Sequence, residues 1–121
     1  MLLPSRARKT LKGTIVSMAN DVTRTIDRML EKDWYHPTNE SRAATDALVL
    51  NLVQAGFDIP RVGATRWKGT QCDWESRAGF VIVCFDDNGC CSLVVGLHGE
   101  DDTTCINLPT TAQIVTALQT I

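Results

Sequence analysis

Apolar residues recur at three- and four-residue spacing through Leu11, Ile15, Met18, Val22, Ile26 and Met29, one stripe that predicts an amphipathic helix ending near Lys32. Arg24, Asp27, Arg28 and Glu31 fall on its polar side. The segment Asp33-Trp34-Tyr35-His36-Pro37 breaks the period. A second helix then starts from a cap at Thr38 or Asn39, with Glu40 in its electropositive first turn. Its buried face is Ala44, Leu48, Val49, Leu52 and Val53, and Gly56, Phe57 and Pro60 mark its end. Two helices with so short a connection should form an αα-hairpin.

Beyond Gly63 the period changes to two. The stretch Phe80 to Phe85 and the stretch Cys91 to Leu97 flank Asn88-Gly89, which reads as a two-residue hairpin turn. That turn sets Cys84 opposite Leu93, Ile82 opposite Val95 and Phe80 opposite Leu97. A three-residue turn at Ser76-Arg77-Ala78 adds Trp74 and Cys72 to the same face, and a turn at residues 99–102 adds Ile106 and Leu108. This face, centred on Ile82 and Val95 and flanked by Leu93, Ile106, Leu48 and Leu52, is the expected core. The opposite face then carries Val81, Val83, Phe85 and Val94, an apolar patch rimmed by Gln71, Asp73, Ser92 and Asn107. Its cover would be a second copy of the chain or the chain's own N-terminal helix.

A last helix follows Pro109, with Thr110 and Gln113 at capping-box spacing and Ile114, Val115, Leu118 and Ile121 on its apolar edge. The predicted fold class is α+β. An antiparallel three- to four-stranded meander sheet carries an N-terminal αα-hairpin and a C-terminal helix on one face, in the order α-α-β-β-β-β-α.

At 121 residues the chain fits a single domain, 1–121, with residues 1–9 as a basic arm around Arg6, Arg8 and Lys9. A net charge of −2 argues against a nucleic-acid partner, whose affinity rests on phosphate neutralisation. The longest apolar run is strand-sized, so no membrane partner is expected. The cysteine number, five, is odd and nothing at the N-terminus reads as a secretory signal. Reduced thiols and a cytoplasmic location are expected.

Candidate chemistry is sparse. No C-x-x-C pair or i, i+4 histidine pair suggests zinc, and Cys90 and Cys91 are adjacent, so in a strand they point to opposite faces. Cys105 with His98, or Cys91 with His36, could form a thiol–base pair, but Asp86, placed opposite Cys91, would raise that thiol's pKa. Asp86-Asp87 and Glu100-Asp101-Asp102 fall at opposite ends of the hairpin and do not converge on a cation. No phosphate-binding loop, dinucleotide fingerprint or nucleophile elbow is present, so no catalytic residue, metal or cofactor is assigned. Trp34, Tyr35, His36 and Trp67 stand out as ligand or partner residues, because loops that carry large aromatics commonly recognise something.

The favoured function is a non-enzymatic, self-associating binding module. It would be a homodimer through Val81, Val83, Phe85 and Val94 that engages a protein or small-molecule partner through the aromatic loops. One alternative is a small enzyme using loop carboxylates with His36 or His98. Another is an antagonist acting through its acidic turns.

Overall fold

The structure, a computed structural model, describes residues 5–121, with side chains from Ser17 onward. The side chains of Leu11, Ile15 and the basic residues before Ser17 are not among those described. The elements run α1 (Ser5–Leu30), α2 (Asn39–Gln54), β1 (Arg61–Ala64), β2 (Thr70–Glu75), β3 (Gly79–Phe85), β4 (Cys91–Leu97), β5 (Thr103–Asn107) and α3 (Thr111–Thr120). The strands form one antiparallel meander in the order β1-β2-β3-β4-β5. The sheet thus has one strand more than the pattern predicts, the short β1 beside the glycine-containing segment around Gly63.

The helix ends are built as their sequences dictate. Thr38 caps α2 by accepting from Ser41 N–H, and Gly56 closes it at φ +96°. Gly56 N–H bonds Val53 C=O and Phe57 N–H bonds Leu52 C=O, the paired bonds of a Schellman stop. Both halves of the Thr110–Gln113 capping box are present on α3.

All three helices share one core on one face of the sheet. Val22, Ile26 and Leu30 from α1 meet Leu48, Val49 and Leu52 from α2, and Ile114, Ala117 and Leu118 from α3 join the same cluster. The sheet contributes Val62, Cys72, Trp74, Val81, Val83, Phe85 and Leu93. The N-terminal helix therefore does not cross to the far face. Three hydroxyls are fully buried where α2 crosses β2. Ser41 Oγ donates to Thr70 Oγ1, Thr70 shares a hydrogen bond with Thr45 Oγ1, and Thr45 donates on to Ser41 C=O. The chain of bonds leaves no partner missing, as burial of hydroxyls requires.

The register of β3 differs from the sequence expectation by one residue. Val83 pairs with Leu93, Val81 with Val95 and Ile82 with Val94. On the other side Cys72 pairs with Val83 and Trp74 with Val81. Val81, Val83 and Phe85 consequently lie in the core, and Ile82, expected at its centre, is half-buried on the open face. Of the four residues expected to self-associate, Val94 alone stays on that open face. Cys91 pairs with Phe85 rather than Asp86, Ile106 pairs with Leu93 and keeps its expected core face, and Leu108, expected on that face too, leaves the strand altogether.

The cause is turn length. Asp86 N–H bonds Cys90 C=O across a three-residue loop, and Gly89 N–H bonds Asp86 C=O. Gly89 adopts the left-handed conformation at φ +84°, as in a type I turn followed by a bulge. Asp86 Oδ1 fixes this choice by accepting from both Asn88 N–H and Cys90 N–H, each at 2.9 Å. On the far side the loop is one residue shorter than expected, with Ser76 N–H on Gly79 C=O around Arg77-Ala78. Each change flips β3 relative to one neighbour, so β2 and β4 keep their expected faces. The open face accordingly carries Phe80, Ile82 and Val94 between Gln71, Asp73, Ser92 and Asn107.

Candidate interaction surface

One end of the molecule gathers the α1–α2 loop, the β1–β2 turn, the β3–β4 turn and the link from β5 to α3. The two turns there use the same design. In the first, Thr65 N–H bonds Gly69 C=O, Lys68 N–H bonds Thr65 C=O, and Thr65 Oγ1 accepts from Gly69 N–H. Lys68 takes the left-handed position at φ +64°, where Gly89 sits in the second turn. A side chain at Gly69 would collide with the Phe85 carbonyl oxygen at 2.0 Å, so this close approach, rather than its dihedrals, requires the glycine.

Thr38 ties the end together. Its N–H bonds Lys68 C=O at 3.0 Å, and its hydroxyl donates to Asp87 C=O at 2.6 Å while accepting from Ser41 N–H at 3.1 Å. One residue thus joins the cap of α2 to both hairpin turns. The residues immediately before it, Trp34, Tyr35 and His36, are thereby held on the same end as Trp67. Trp34 is 94% exposed, Tyr35 50%, Trp67 71% and Leu108 70%. Leu108, expected on the core face at the end of its strand, instead holds φ +50°, which turns the chain out of the sheet and leaves the side chain exposed. Arg66 lies 4.7 Å above the Trp67 ring, within cation–π range.

On the open face of the sheet, Trp67 and Leu108 stand over a broad groove of about 620 Å³ whose floor includes Gln71, Cys84 and Ser92. His36 does not line this groove. It faces a separate cleft on the helical side, with Asp27, Glu31 and Arg42. There Arg42 holds Asp27 at 2.6 Å and Asp46 at 3.0 Å. Burial lowers the Arg42 pKa, but hydrogen bonds to Asp46 and Asp27 outweigh it and leave the pKa raised.

The remaining candidates do not assemble a reaction centre. His98 Nε2 sits 3.8 Å from Glu75 Oε1 at the opposite end, both side chains largely in solvent. All five cysteines are free. Burial pushes the Cys72 thiol up to about 12, assisted by Asp73 and Cys84. Burial likewise raises Cys84, with Asp73 adding to it, and raises Cys91, with Cys90 adding to it. These three thiols are held protonated, the opposite of what nucleophilic attack needs. Among the described residues no group of three or more His, Cys, Asp or Glu side chains could hold a metal ion, and no helix is long and apolar enough to cross a membrane. Comparison with protein-family models, with curated proteins and with solved structures returned no match.

Proposed function

We propose that the chain is a non-enzymatic binding module that engages a protein partner through its loop end. The observation that carries this reading is the collection of exposed Trp34, Tyr35 and Trp67 on loops that Thr38 locks together, with exposed Leu108 on the neighbouring link from β5 to α3. Exposed Trp and Tyr on a fixed scaffold supply rigid contact area with little ordering cost, the composition of an interface centre. The adjoining groove is open rather than enclosed, which suits a protein surface better than a small molecule buried on all sides. The five free thiols support a reducing compartment such as the cytoplasm.

The test is affinity capture from host extract, followed by calorimetry on the purified captured protein. Trp67→Ala and Trp34→Ala should each weaken binding by tenfold or more with circular dichroism unchanged. A partner whose affinity is indifferent to both substitutions would show that this end is not the recognition surface.

A further inference from the structure

The two edges of the sheet are finished differently. The outward N–H groups of β1 are occupied: Val62 N–H meets Met29 Sδ at 3.2 Å and Ala64 N–H donates to Asp33 Oδ2 at 2.8 Å. Among the described residues the other edge, β5, has no such cover. The bond from Leu108 N–H to Cys91 C=O at 3.1 Å fixes the phase of the β4–β5 ladder, so Ile106 and Thr104 bond inward to Leu93 and Val95. Thr103, Cys105 and Asn107 therefore present their N–H and C=O groups to solvent. Exposed edges are usually blunted by charge, proline or a bulge. Here 21% of the chain is charged, yet no Asp, Glu, Lys or Arg occurs anywhere in residues 103–121. Most of that segment is solvent-exposed. Beside the edge, between α3 and the sheet, lies an apolar groove of about 450 Å³ lined by Leu93, Val95, Ile106, Ala112 and Ala117.

We infer that β5 is a self-association edge, on which a second copy of this chain adds its own β5 antiparallel to form a continuous ten-stranded sheet. With the two-fold axis at Cys105, Cys105 faces Cys105 and Thr103 faces Asn107 of the second copy. Every outward N–H and C=O of Thr103, Cys105 and Asn107 then finds a partner in this one register. On the helix side Thr104 faces Ile106 of the second copy, extending the two apolar grooves toward each other. The occupant is a second copy because charge permits it. The contact strip is neutral, so two copies meet without repulsion or the loss of hydrated charge. The antiparallel direction also keeps the acidic turns at residues 100–102 at opposite ends of the interface.

The test uses Cys105→Pro. Its missing N–H points to solvent in the monomer, so the fold tolerates it, but it removes hydrogen bonds at the two-fold axis. Light scattering at high micromolar concentration should give twice the 13.3 kDa chain mass for the wild type and a folded monomer for Cys105→Pro. In a Cys90→Ser background a short bis-maleimide should join two chains, and adding Cys105→Ser should abolish the product. If Cys105→Pro fails to fold, Thr104→Lys, which adds charge to the neutral strip and removes no backbone bond, must give the monomer. A monomeric wild type overturns the inference. So does a dimer that survives Cys105→Pro or Thr104→Lys, above all one that Val94→Lys dissolves through the open face. A monomer that instead takes up an unrelated extended peptide at β5 would also overturn it.

Discussion

Val83 and Ile82 are neighbours on one strand, and their relative cost on truncation tests the register directly. Val83 is 0% exposed beneath the helices, whereas Ile82 is half-buried on the open face. Val83→Ala removes two carbons, worth about 1.6 kcal/mol at roughly 0.8 kcal/mol per buried methylene. The space left between Leu93, Cys72 and the helices collapses only partly, which brings the total to about 2–3 kcal/mol. Ile82→Ala removes three carbons, but from a site that already touches water and can close without a void, so about 1 kcal/mol is expected. The smaller deletion should thus be the more damaging one. Urea unfolding with the denaturant slope shared between variants measures both values, and thermal midpoints should fall by about 8–12 °C against about 4 °C. An Ile82→Ala variant less stable than Val83→Ala would refute the assignment of β3's faces.

Other expectations follow from the same contacts. Thr45→Val takes the closer of two partners from the buried Thr70 hydroxyl, leaving it only Ser41 Oγ, and should cost about 1–3 kcal/mol in chemical denaturation, with part recovered in the Thr45→Val/Thr70→Val double variant. Gly89→Ala places a side chain at φ +84° and within 3.0 Å of the Glu40 carbonyl oxygen, so a loss of about 1–2 kcal/mol is expected from the thermal midpoint. The folded Cys72 thiol titrates near 12 instead of its ordinary 9.0. The unfolded chain therefore releases this proton first, and stability is full below pH 9.0 and declines between about 9 and about 12. Denaturation curves across that range should fall less steeply for Cys72→Ala.

The helices, their caps and the helix-side faces of β2, β4 and β5 were legible in the sequence: apolar residues recur at helical spacing in the helices, Cys72 and Trp74 alternate with Gln71, Asp73 and Glu75, and Leu93 and Ile106 each sit beside a polar neighbour, Ser92 and Asn107. The β3 segment was not. Phe80-Val81-Ile82-Val83-Cys84-Phe85 is apolar at every position, so either parity buries a hydrophobic face and turn length alone decides. Turn length was decided by a feature smaller than any motif, the Asp86 carboxylate gripping two N–H groups ahead. One further signal was available. Phe80 pairs with Gly96, and its ring covers the glycine so closely that a Cβ there would lie 2.4 Å from it. An aromatic shielding a strand glycine is a recognised pairing, and it selects this register over the one that opposes Phe80 to Leu97. The aromatic loops were visible as composition, but their convergence was not. It depends on Thr38 hydrogen bonds to residues far along the chain, and Leu108 joins them only because β5 ends one residue early.

The unequal finish of the two sheet edges sets the valence of any assembly built by strand addition. A sheet open on both sides is a divalent monomer and can grow without limit, as fibres do. Here Met29 and Asp33 terminate growth at β1, so a strand accepted at β5 ends the chain reaction as it begins. A neutral strand edge can then remain exposed without making the protein a seed for its own polymer.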